Sequence, residues 1–168
     1  PSASAATRRL TNAEKTQFRE RGYVKNLPVF DVDAVAVMQQ RFDELLCQLT
    51  EGTDINKVNC WHKANRWVYD LCATPAILDC VADLIGEEMF LWGCQFFCKL
   101  PGVSTDVPWH QDAQYWPLSP HKAVTVWLAI YDTDEDNGAM KVVRGSHRVG
   151  DIAHVAVTGE QYMLGQKV

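Results

Sequence analysis

Apolar residues recur at helical spacing through the first half of the chain, and the pattern changes character after Gly86. Thr11-Asn12-Ala13-Glu14 is a capping box, in which the threonine accepts from the helix's first turn and the glutamate reaches back. It predicts a short helix that Gly22 closes. Asp31-Val32-Asp33 opens a longer helix, on which Val32, Val35, Met38, Phe42, Leu45, Leu46 and Leu49 form one apolar face. Glu51 to Asn59 is polar and reads as a loop. Thr74-Pro75 starts a third helix, with Ile77, Leu78, Val81, Leu84 and Ile85 as its buried stripe and Gly86 as its stop. Beyond it, Met89–Lys99, Val107–Tyr115, Val124–Tyr131 and Ala139–Val143 read as strands, separated in part by turns at Pro101-Gly102 and Asp136-Asn137-Gly138. Helices followed by strands predict a sheet or barrel backed by helices.

Composition narrows the picture. The 168 residues, 47% hydrophobic, suit a single domain with a substantial core. The net charge of −5 argues against nucleic acid or an anionic membrane as partner, and no apolar run is long enough for a membrane span. A small-molecule substrate and a cytoplasmic location are the expectations; oligomeric state is left open. Residues 1–9 read as a disordered or expression-derived tail. The six cysteines read as reduced and mostly buried thiols. Cys60-Trp61-His62 and Cys94-x-x-x-Cys98 have no matching C-x-x-C pair, so zinc is disfavoured.

Trp109-His110-Gln111-Asp112 carries the most chemistry. On an extended segment residues i and i+2 share a face, so His110 and Asp112 present an imidazole nitrogen and a carboxylate oxygen side by side. That is two thirds of the 2-His-1-carboxylate triad that holds Fe(II) and leaves coordination positions open. Alone, H-x-D is a weak signal. The run from Asp132 to Gly138 is a poor calcium loop: its glycine is one place late and Val143 stands where a glutamate should be. Gly145-Ser146-His147 lacks the nucleophile-elbow frame.

The surroundings of the H-x-D pair are specific. The block comprises Lys99-Leu100-Pro101-Gly102, Trp109-His110-Gln111-Asp112, Tyr115-Trp116-Pro117-Leu118, Val124-Thr125-Val126-Trp127-Leu128-Ala129-Ile130, Asp136-Asn137-Gly138-Ala139-Met140 and Arg144-Gly145-Ser146-His147-Arg148. In order and spacing it resembles the phytanoyl-CoA dioxygenase family, and Leu10-Thr11 … Phe18 … Gly22-Tyr23-Val24 resembles the start of such a protein. The resemblance implies a mainly β fold with flanking helices, a double-stranded β-helix (jelly-roll) barrel. It implies Fe(II) and 2-oxoglutarate as cofactor and cosubstrate, with ascorbate a further candidate. His110 and Asp112 would be the catalytic metal ligands. Gln95 and Trp127 match positions lining the 2-oxoglutarate pocket, and Lys99, on the same face as Gln95 by strand alternation, would attract the acidic cosubstrate. The implied activity is hydroxylation of an aliphatic C–H bond with decarboxylation of 2-oxoglutarate to succinate. Aspartate at 112, where related halogenases carry a small residue, favours hydroxylation over halogenation.

The family pattern also calls for a second histidine on a late strand and, about ten residues on, an arginine to grip the distal carboxylate of 2-oxoglutarate. His121, His147 and His154 do not fit the first role, and no arginine follows Arg148. The expectation is that residues 10–168 are the N-terminal and central part of one such domain, its last strands lying beyond Val168. The alternative is a truncated, non-catalytic jelly-roll binding module.

Overall fold

A computed structural model describes residues 8–102, 105–120, 122–159 and 162–168. The expected tail therefore lies mostly outside the described residues, as does His121.

Helix α1 (Asn12–Arg21) forms where the capping box predicts it. Glu14 N–H donates to Thr11 Oγ1 at 3.2 Å and Thr11 N–H to Glu14 Oε2 at 2.8 Å. Gly22 closes the helix at φ 85°, and the Gly145–Arg148 turn seals the same end. Gly145 N–H donates to Arg21 O at 2.9 Å, and His147 Nε2 and Arg148 both reach Arg19 O at 3.0 Å. A Cβ on Gly22 would lie 2.5 Å from His147 Nδ1, so glycine is required there for space as well as for conformation. The Gly-Ser-His-Arg motif thus caps a helix more than a hundred residues upstream.

Helix α2 (Val32–Cys47) starts at Asp31, whose carboxylate accepts from Ala34 N–H at 2.8 Å. Its apolar face is buried at Met38, Phe42 and Leu45, but Val32 at the open end is 84% exposed. Helix α3 (Arg66–Cys72), which periodicity does not announce, is capped by Asn65 Oδ1 on Val68 N–H. Helix α4 (Pro75–Ile85) buries Ala76, Ile77 and Cys80, while Leu78 of the expected stripe points partly outward. Short 3₁₀ turns stand at Ile55–Lys57 and Trp61–Lys63 in the polar stretch between α2 and α3.

The N-terminal segment is fastened to α4 through Asp83. Its carboxylate accepts from Leu10 N–H at 2.8 Å and Lys15 Nζ at 2.9 Å, with the side chain 12% exposed. The lysine bond is the main cause that lowers its pKa below the ordinary 3.8. A lowered folded-state pKa means stability that is present above 3.8 and lost as pH falls through the folded value. Asp83→Asn should cost about 1–3 kcal/mol at neutral pH. In urea melts the gap between variant and parent should close as pH falls; a gap that stays constant down to about pH 3 would sink the assignment.

The mainly β barrel expected from the resemblance is not what the described residues form. Their only sheet is the antiparallel pair β1 (Val155–Ala156) and β2 (Gln166–Lys167), with isolated bridges Asn59–Gln95 and Asp106–Tyr162. Met89–Lys99, Val107–Tyr115, Val124–Tyr131 and Ala139–Val143 run without ladder partners, and helix dominates the regular structure. The physical reason is that a strand is a pairwise object. Apolar alternation prepares a segment for a sheet, but without a neighbouring strand its N–H and C=O groups make no ladder. The apolar side chains of these segments stay largely in solvent, as with Phe90, Trp109, Val126 and Met140. The buried apolar residues Leu10, Met38, Phe42, Leu45, Ile55, Val68, Ala76, Ile77 and Cys80 all belong to the first eighty residues.

Candidate functional site

His110 and Asp112 converge. Trp109 lies in a bend, and Gln111, extended at φ −108° and ψ 127°, leads into a 3₁₀ turn, Asp112–Tyr115. His110 Nε2 lies 3.1 Å from Asp112 Oδ1, with the imidazole 22% and the carboxylate 41% exposed. His110 Nδ1 sits 2.8 Å from Pro108 O, which requires an N–H on Nδ1 and leaves Nε2 to face the carboxylate. Thr125 Oγ1–H donates to the other carboxylate oxygen, Oδ2, and fixes the carboxylate plane.

Two donor atoms about 2.1–2.2 Å from one ion, at right angles, stand about 3.0 Å apart. The 3.1 Å separation of Nε2 and Oδ1 therefore matches neighbouring positions on a single divalent cation. The nitrogen–oxygen donor set suits Fe(II), and Pro108 O and Thr125 are the outer partners such ligands need. With a proton in place of an ion, the two groups form an ion pair. The Asp112 contact raises the His110 pKa, and the His110 contact lowers that of Asp112. Among the described residues no group of three His, Cys, Asp or Glu side chains could hold a metal ion.

Gln111, the residue between the pair, clamps it to the C-terminal segment. Its side chain donates to Gly150 O at 2.9 Å and accepts from Ile152 N–H at 2.8 Å. Its backbone N–H donates to His154 Nε2 at 3.0 Å, while His154 Nδ1 meets Ile152 O at 2.8 Å. His154 is thereby a one-tautomer acceptor that holds the loop, its Nε2 lone pair already used. Tyr115 packs edge-on to both His110, at 5.8 Å, and His154, at 6.5 Å between ring centroids. Val168 N–H donates to Trp109 O at 2.8 Å. Thr125, Gln111 and His154 are the members that motif spacing does not identify as a set, because each meets the pair only through the fold.

The other sequence candidates lie elsewhere. Gln95 is exposed, donates its amide N–H to Asn56 O and bridges Asn59. Lys99 lies across the Asp134–Gly138 turn, where a Cβ on Gly138 would meet its Cδ at 2.9 Å. Trp127, two residues beyond Thr125, is 40% exposed. No hydrogen bond or ring contact joins these three to His110 or Asp112 among the described residues. A cleft of about 540 Å³ is lined by residues including Asp54, Lys57 and Tyr162 and by neither member of the pair. The Asp132–Gly138 run is an ordinary turn, with Asp134 Oδ1 accepting from Asp136 and Asn137 N–H.

Comparison with known proteins bears on this geometry. The profile of the family described as Phytanoyl-CoA dioxygenase (PhyH) matches residues 18–165. An L-proline trans-4-hydroxylase of Streptomyces griseoviridis is 24% identical over 67% of this chain and 44% of its own length. A probable phytanoyl-CoA dioxygenase of Caenorhabditis elegans is 30% identical over 48% of this chain and 28% of its own. An ectoine dioxygenase of Sphingopyxis alaskensis is 23% identical over 78% of this chain and 48% of its own. The chain spans less than half the length of these relatives. No solved structure matches.

Proposed function

The chain belongs to the phytanoyl-CoA dioxygenase family, and from that premise we propose that it works as an Fe(II)/2-oxoglutarate-dependent oxygenase that hydroxylates an aliphatic C–H bond of a small molecule. The observation that carries the reading is the 3.1 Å convergence of His110 Nε2 and Asp112 Oδ1. When bound, iron and 2-oxoglutarate supply the oxidising chemistry, with the cosubstrate leaving as succinate and carbon dioxide. The chain supplies ligation and orientation. His110 and Asp112 hold the ion. Pro108 O keeps the imidazole turned with Nε2 outward, and the Thr125 hydroxyl keeps Oδ1 on the His110 side. Gln111 and His154 hold the loop that carries both ligands. Gln95 and Lys99 offer the donors a dicarboxylate needs, and Gln95 would exchange Asn56 O for it. Trp127 would form a wall of that pocket.

The relatives' names supply the first substrate panel: L-proline and ectoine are small polar compounds, and an acyl-CoA stands as the contrasting class. The test is succinate formation from 2-oxoglutarate with Fe(II), measured with and without each compound. Iron-dependent succinate that rises with one of them supports the reading. Metal binding with no succinate under any condition would overturn it in favour of a non-catalytic metal-binding module.

A further inference from the structure

Besides the His110–Asp112 pair, a histidine and two cysteines neighbour one another at the end of α3. His62 Nδ1 lies 3.1 Å from Cys94 Sγ, and the backbone N–H of the same residue donates to that sulfur at 3.3 Å. The arrangement is built by the backbone. Cys60 adopts φ 59°, a left-handed conformation uncommon for a residue with a Cβ, and so turns the chain into the Trp61–Lys63 3₁₀ turn. Cys60 N–H then donates to Cys94 O at 2.8 Å and fastens the two segments together. Cys72, the last residue of α3, neighbours Cys94. All three cysteines are free and partly accessible.

A thiol with an imidazole in hydrogen-bond reach is the arrangement of an activated sulfur nucleophile, and a second thiol nearby supplies what can resolve it. We propose that Cys94, with His62 as its base and Cys72 as the resolving thiol, is a peroxide-sensitive site that closes into a Cys72–Cys94 disulfide.

The steps balance. His62 takes the Cys94 proton, and the sulfur attacks one oxygen of hydrogen peroxide. The S–O bond forms, the O–O bond breaks, and the departing hydroxide leaves as water with the proton from His62. Cys94 is then a sulfenic acid. Cys72 attacks that sulfur; the S–S bond forms, the S–O bond breaks, and the oxygen leaves as water with the Cys72 proton. Two thiols lose two electrons and hydrogen peroxide gains them. The roles are not interchangeable. Burial first, and the neighbouring Cys94 second, push the Cys72 thiol well above the ordinary range, so it stays protonated while Cys94 reacts. The disulfide would tie the end of α3 to the segment that carries Gln95.

Exposed Cys47 is the internal control. The fully reduced protein is treated with limiting hydrogen peroxide, and its cysteines are mapped by mass spectrometry without reduction. The expected product is a Cys72–Cys94 cross-linked peptide, formed while Cys47 is still a thiol. Cys72→Ser should stop at a Cys94 sulfenic acid that dimedone captures. His62→Asn should slow Cys94 oxidation at least about 10-fold with helix content unchanged. If Cys47 reacts ahead of Cys94 in the parent protein, or no cross-linked peptide forms, reactivity follows exposure alone and the proposal fails.

Discussion

His110→Ala should weaken binding of a divalent cation by on the order of 100-fold or more, since deleting an inner ligand removes at least what loss of an outer partner does. The argument rests on what remains. Without the imidazole, Asp112 keeps one oxygen engaged by Thr125 and offers the other alone. No third titratable ligand stands near enough to replace Nε2 among the described residues. Co(II) is a suitable probe, because its absorption reports nitrogen coordination directly and needs no turnover. A competing chromophoric chelator gives the affinity. Asp112→Ala should act to a similar degree, whereas His154→Ala should leave both inner ligands and cost less. An unchanged Co(II) affinity in His110→Ala would show that the pair is a structural ion pair. The fold should survive the change, because His110 is not among the buried residues of the core.

Phe42→Ala should be the most damaging change to stability, at about 3–5 kcal/mol. In a chain of this size that lowers Tm by roughly 6–20 °C. Phe42 is buried on the inward face of α2. Its ring packs at 5.0 Å against Phe96 and 6.4 Å against Tyr131, and Phe96 continues to Trp61 at 5.8 Å. The aromatic chain is how α2 holds the two long extended segments, with polar ties beside it. Gln39 Nε2 donates to Ile130 O at 2.9 Å, and Tyr131 donates its hydroxyl to Asp43, a bond that pushes its pKa up to about 12. Removing the ring leaves a cavity where α2 and extended chain interlock. Urea titration of both proteins measures the cost. A loss under about 1 kcal/mol would mean that the segments are held by the polar ties alone.

Local signals carried well from sequence to structure, and pairwise ones did not. Thr11 with Glu14, and Asp31, each announce a helix start, because a cap acts within one turn of chain, and Thr74-Pro75 announces another through its proline, with no side-chain cap bond from Thr74. Asn65 caps α3 in the same way, but Arg66–Cys72 is too short and too mixed in composition to show an apolar face. The run from Val124 to Tyr131 has the composition of a strand and stands unpaired, because pairing depends on a neighbour that local pattern does not specify. His110 and Asp112 were legible together because their spacing places them together. Thr125 and His154 were not, because they reach the same loop from 13 and 43 residues away.

Among the described residues the buried apolar ones are confined to the span from Leu10 to Cys80, which also orders events during synthesis. At roughly 5–20 residues per second, the ribosome finishes that span about two to six seconds before it reaches Asp112. The residues that form this core are therefore all made before His110 and Asp112. The fastening of α1 comes later than these residues: its C-terminal end is sealed only when Gly145 to Arg148 have been made.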